Sequence, residues 1–196
     1  MDSATRFNLE SSSILLLEQS PQALEVLVQI FFGLGARNCH KCTSMDEAMN
    51  VARKTTLDLV VVDPNLAEGD GHAFVENLRR SNLEPNRSIP IIVISANGAR
   101  SAVERARDVG ASYFIVKPVT ALVLIDRILR IARDERCFVV TDTYAGPDRR
   151  FKFEGPPPGI APRRSTDVKT RLEDVSAPNM SQDEIDSLLK PQRVAL

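Results

Sequence analysis

The chain has 196 residues, 25 Lys+Arg against 26 Asp+Glu, and a formal net charge of -1, a length that holds one domain of ordinary size plus an extension. That balance argues against wholesale nucleic-acid binding while leaving room for a local basic patch. The longest apolar runs, Ile14 to Leu17 and Ile91 to Ile94, fall far short of the roughly 20 residues that cross a bilayer, and no basic-then-apolar leader opens the chain.

Residues 1–11 read as a flexible N-terminus, and Ile14 to Leu17 as a buried strand. Ser20 and Pro21 then suit an N-cap and a first helical position. Leu24, Leu27, Val28 and Phe31 repeat at helical spacing until Gly35 ends the segment. Ser44 with Glu47 makes a capping-box pattern for a second helix. Leu57 to Val62 and Ile89 to Ser95 are Val/Ile-rich with little polar alternation, as expected of strands covered on both faces. Tyr113 to Val116 is a further strand, and Thr120 can cap a last helix with Leu122, Ile125 and Leu129 inward. Strand and helix alternate about five times over residues 12–136, which reads as an α/β domain with a doubly wound parallel sheet.

In such a sheet, polar residues at the carboxyl ends of the strands converge on one rim. Those residues are Glu18 and Gln19, Asp63, Ser95 and Lys117. A carboxylate, a hydroxyl, an ammonium and a second acidic position make a workable phosphoryl-transfer site. Three cysteines, Cys39, Cys42 and Cys137, cannot all pair within one chain, so a reduced, cytoplasmic setting is expected. Cys39-His40-Lys41-Cys42 has no second pair of ligands to close a zinc site, and its cysteines read as small hydrophobes. His40 and His72 read as surface residues.

The segments Asp63 to Gly71 (DPNLAEGDG), Val93 to Ala96 (VISA) and Lys117-Pro118 together resemble the receiver domain of two-component response regulators. The stretch from Leu34 to Met49 is similar to the second-strand region of chemotaxis regulators. The resemblance implies a five-stranded, flavodoxin-like receiver that is not an enzyme. Asp63 would be the phosphoacceptor, Ser95 and Lys117 would contact the phosphoryl group, and Lys117-Pro118 would be cis. Phe114 would be the switch aromatic that turns inward on activation. Glu18, Gln19, Asp63 and the Asn65 carbonyl would hold Mg²⁺. Histidine kinases or phosphotransfer proteins are the implied partners. The family usually carries two acidic residues where this chain has Glu18-Gln19, and a glutamine brings no charge to a hard cation. Weakened metal binding is therefore expected, and Ala67 replaces the usual proline of the same loop.

Beyond Arg136 periodicity disappears and seven prolines fall between Pro147 and Pro191, so residues 137–180 read as a mostly disordered tail. It is locally basic. Tyr144 with the pairs Arg149-Arg150 and Arg163-Arg164, followed by Asp167, is similar to the arginine-rich extensions of chemotaxis-regulator-like proteins that bind cyclic di-GMP. Arginine forks suit phosphate and guanine edges. A phosphorylation-independent module sensing that nucleotide is the alternative to a phosphorylated switch. Duplex DNA is not an expected partner, since no helix-turn-helix follows the receiver. Residues 181–190 regain a pattern: Ser181 and Glu184 can cap reciprocally, and Ile185, Leu188 and Leu189 share an apolar face. SQDEIDSLL resembles the N-terminal peptide of a flagellar switch protein that chemotaxis regulators grip. Such a helix would dock on its own receiver or on another one, and motility or surface behaviour is the implied setting.

Overall fold

A computed structural model describes residues 9–67, 69–134, 136–149 and 180–189, with Ser187 and Leu188 described by backbone alone. Five βα units run in order: β1 (Ser13–Leu17), α1 (Pro21–Gly33), β2 (Asn38–Cys42), α2 (Met45–Lys54), β3 (Leu59–Val62), α3 (Gly71–Arg80), β4 (Ile91–Ser95), α4 (Arg100–Asp108), β5 (Tyr113–Val116) and α5 (Ala121–Ala132). The strands are parallel in the order β2-β1-β3-β4-β5. This is the doubly wound, flavodoxin-like receiver fold. Side chains of β1, β3 and β4 are almost all buried because helices cover both sheet faces. One core packs α1 and α5 through Leu24, Leu27, Phe31, Leu124 and Ile128. The other gathers Ala48, Ala52, Phe74, Leu78, Val103 and Ala106 from α2, α3 and α4.

The expected caps are present. Ser20 Oγ accepts from Ala23 N, Ser44 Oγ from Glu47 N and Thr120 Oγ1 from Val123 N, while Glu47 reaches back to Thr43 N. Three details differ from the sequence reading. The buried residues of α5 are Leu124, Arg127 and Ile128, and Leu122 is 79 % exposed, so the inner face is rotated from the one expected. His72 is not a surface residue; it is buried at the start of α3, where Asp70 caps the helix. Cys42, by contrast, is the small buried β2 residue expected, and its burial, with the charge of Glu47, pushes the thiol up to about 11.

The third difference lies after α5. Residues 137–149, expected to open a disordered tail, hold an antiparallel hairpin of β6 (Phe138–Val140) and β7 (Ala145–Pro147). Too short to be stable alone, it is held by contacts with the receiver. Gly110 and Gly146 approach backbone to backbone: a Cβ on Gly110, whose φ is +98°, would lie 2.3 Å from Ala145 O. Phe138 lies over the guanidinium of Arg79, which is fully buried. Arg79 donates to Gly110 O, Arg87 O and Ile89 O at 2.9, 2.7 and 2.6 Å. Burial among these neutral acceptors pulls its pKa down to about 9. Arg149 stacks 3.8 Å above the Tyr144 ring and bonds Asp108 Oδ1 and Arg107 O, both at 2.9 Å. The expected partners Arg150, Arg163, Arg164 and Asp167 lie outside the described residues.

The last element, α6 (Gln182–Leu189), docks on the receiver of its own chain, against β5 and α4. Ser181 and Glu184 cap it reciprocally. Ile185 is fully buried and Leu189 nearly so, in the same cluster as Val103, Ala106 and Phe114.

Candidate functional site

The carboxyl ends of β1, β3 and β5 bring three charged side chains together. Asp63 leaves β3 with its backbone N–H still donating to Leu17 O, which fixes the carboxylate at the rim. The chain then turns sharply, and a Cβ on Gly71 would lie 2.3 Å from Asp63 O, so only glycine fits where α3 begins. Asp63 Oδ1 accepts from Asn65 N at 2.6 Å. Its Oδ2 accepts from Lys117 Nζ at 2.5 Å, and the same ammonium donates to Glu18 Oε2 at 2.6 Å. Both carboxylates are buried, while the lysine is partly open to solvent. Partial burial works against the Lys117 charge, but the bonds to Asp63 and Glu18 outweigh it, and its pKa is raised. The Lys117-Pro118 peptide is cis.

Ser95 ends β4 beside this group. It is buried and its Oγ accepts from Asn97 N at 3.1 Å. Lys117 N donates to Ser95 O at 2.9 Å, so the two phosphoryl-contacting candidates are held by one backbone bond. Phe114 is fully buried on the α4 side of β5.

The metal set does not assemble in the same way. Gln19 is exposed, and the second oxygen of Glu18 accepts from Ser20 N. Two carboxylates already share one ammonium, and among the described residues no trio of His, Cys, Asp or Glu is grouped to hold an ion. Glu18 and Asp63 still supply the two carboxylates that Mg²⁺ usually takes, while Gln19 adds no charge to them.

Sequence reasoning missed His72. Its Nδ1 lies 3.1 Å from Asp70 Oδ1, its Nε2 is buried with no hydrogen-bond partner, and Asp70 also pairs with Arg105 of α4. Burial lowers the His72 pKa, the charge of Asp70 opposes this, and Arg105 adds to the lowering. The sequence also hid the polar frame around α6. Gln182 Nε2 donates to Phe114 O at 3.0 Å, and its Oε1 accepts from Val116 N at 3.3 Å, so one amide pairs with the free edge of β5 as a strand would. Asp186 Oδ2 pairs with Arg127 at 2.9 Å and Arg130 at 3.8 Å.

The profile of the response regulator receiver domain matches residues 14–129. This chain belongs to that family. Receiver domains are typically non-enzymatic signalling modules, and they typically bind Mg²⁺ for phosphorylation. The chain is 25% identical over 122 residues to the chemotaxis protein CheY-3 of Vibrio cholerae, covering 62% of this chain and 92% of that protein. It is 31% identical over 88 residues to the phosphate regulon transcriptional regulatory protein PhoB of Escherichia coli, covering 45% of this chain but 38% of PhoB. A putative response regulator from Chloroflexus aurantiacus shares the fold with a TM-score of 0.58 and 24% identity, covering 63% of this chain and all but 2% of its own. Among the described residues no helix is long and apolar enough to cross a membrane.

Proposed function

We propose that this receiver is a phosphorylation-controlled switch that acts in the cytoplasm through protein contacts on the face formed by α4, β5 and α5. The observation that carries the reading is the Asp63 carboxylate held by Lys117 at 2.5 Å on the strand rim, with Ser95 alongside. In the reaction, one Asp63 oxygen attacks the phosphorus of a phosphohistidine donor or a small acyl phosphate. The bond from phosphorus to the donor breaks, and the leaving group departs with its electron pair. Lys117 then balances the new phosphoryl charge and the Ser95 hydroxyl donates to a phosphoryl oxygen. A histidine kinase or phosphotransfer protein is the donor that this chemistry suits.

The output face is where α6 sits. Its sequence resembles the flagellar switch peptide, and Gln182, Ile185, Asp186 and Leu189 account for its hold on the receiver. A flagellar switch protein or another receiver offering a similar helix would compete for the same seat, and that competition supports a role in motility or a related surface behaviour. Mass spectrometry after incubation with acetyl phosphate tests the switch. One phosphoryl group is expected on the wild type and none on Asp63→Asn; equal labelling of the two removes the reading.

A second reading is favoured by the exposed Gln19 and by Lys117 already paired with both rim carboxylates. It is a phosphorylation-independent module that senses cyclic di-GMP. The stacked Tyr144–Arg149 pair supports the nucleotide input, since a guanidinium on an aromatic ring is a ready platform for a base. Calorimetry with cyclic di-GMP decides this input. Binding that survives Arg149→Ala together with Arg163→Ala refutes it.

A further inference from the structure

We infer that the cluster of His72, Asp70 and Arg105 between α3 and α4 is a proton-sensitive latch on the loop that carries Asp63, so that acid loosens the site. The latch stands on its own geometry, while its effect on labelling rests on the proposed phosphoacceptor.

The loop from Asp63 to Gly71 is closed at its base. Asn65 and Asp70 form an isolated antiparallel bridge, and Gly71 N donates to Pro64 O at 3.0 Å. Asn65 N donates to Asp63 Oδ1 at 2.6 Å. Asp70 is therefore one backbone pairing away from the residue that steers the Asp63 carboxylate. Its own side chain is held on two sides. Oδ1 accepts from His72 N at 2.8 Å and lies 3.1 Å from His72 Nδ1, while Oδ2 pairs with Arg105 of α4.

The ring sets the sign. Nδ1 carries its hydrogen toward the carboxylate, which leaves Nε2 of the neutral ring as a lone pair. That atom is buried without a hydrogen-bond partner, and the side chain is only 8 % exposed. A proton added there would bring a charged N–H into a place with no acceptor, which costs more than the neutral orphan. Three charged groups face the ring. Asp70 at its own helix cap and Asp63 on the strand rim favour the proton, and Arg105 on α4 opposes it. Burial and Arg105 prevail over the two carboxylates, so a protonated ring favours withdrawal to water over its seat. Asp70 then loses the ring, Arg105 draws it from the α4 side alone, and the bridge to Asn65 loses its support.

Hydrogen exchange of the Asn65 and Gly71 amides in the full chain, each relative to its free-peptide rate, tests the latch without any phosphoryl donor. The range runs from about pH 7.5 to about pH 5, across the usual histidine value near 6.5. Relative exchange in the wild type should rise about fivefold, the lower end of a usual coupling, at the midpoint of the His72 ring read by proton NMR. The chain has two histidines, so His72→Leu assigns the ring signals, and its relative exchange should stay flat. A wild type as flat as the variant, or a variant that rises alike, overturns the proposal. Should His72→Leu not fold, Arg105→Gln removes the opposing cation, and ring midpoint and exchange should move together to higher pH; exchange that stays where the wild type places it overturns the latch. Labelling by acetyl phosphate should also fall about fivefold in the wild type relative to His72→Leu over the same range. Labelling that falls alike in both overturns the coupling to the site. No label on either chain at any pH refutes the phosphoacceptor instead, and the exchange arm then decides the latch by itself.

Discussion

Replacing Asp186 by Ala should release α6 while leaving the receiver folded. The pair it makes with Arg127 is 2.9 Å long, and the two side chains are only 11 % and 4 % exposed. At that separation an effective dielectric of about 20 gives a gross attraction of about 6 kcal/mol, against which the desolvation of both groups must be set. Removing one partner of a buried pair usually costs about 3–5 kcal/mol, because the other charge is stranded. Here Arg127 keeps Asp126 as a neighbour, which lowers the cost below that range, to about 2–3 kcal/mol. At about 1.4 kcal/mol per factor of ten, the docked population should fall relative to the undocked by about 30- to 150-fold. The assay is limited proteolysis of the full chain, reading cleavage within residues 181–189. Cleavage of Asp186→Ala should be faster by that factor, and raised salt should alter the wild type more than the variant. An unchanged cleavage rate would show that the ion pair does not hold the helix, and that the apolar contacts of Ile185 and Leu189 suffice.

Gln19→Asp should turn the rim into a three-carboxylate site and tighten Mg²⁺ binding at least about tenfold by calorimetry, since each added anion favours a hard cation. Gly110→Ala forces a Cβ into a left-handed backbone position and against Ala145 O; a cost of about 2 kcal/mol or more should lower Tm by about 4–8 °C in scanning calorimetry. Because the His72 pKa is lowered in the folded chain, the fold prefers the neutral ring. That contribution is complete above the unfolded value near 6.5 and is lost as pH falls through that value toward the folded one. Urea unfolding should therefore show stability dropping over this acidic window, and His72→Gln should flatten that part of the profile.

The βα repeat was legible because each strand is a short Val/Ile-rich run and most helices open with a side-chain cap. The rim was legible for a related reason: residues that end parallel strands must converge, and Asp63 with Lys117 does. The hairpin was not. Three-residue strands containing Gly146 and Pro147 carry no periodic signal, and what holds them is the distant Gly110 and Arg79. The inner face of α5 was misread because Arg127 is buried by the charge of Asp186, which comes from a segment 59 positions further on. His72 was assigned to the surface because its burial depends on packing at the start of α3, which a lone polar residue does not announce.

The close meeting of Gly110 and Gly146 moves the end of the folding unit. A chain cut at Arg136 would strip the aromatic roof from Arg79 and expose a guanidinium whose carbonyl partners were arranged for a dry environment. Binding or labelling measured on such a fragment would describe a different protein, and the shortest faithful receiver runs at least to Arg149.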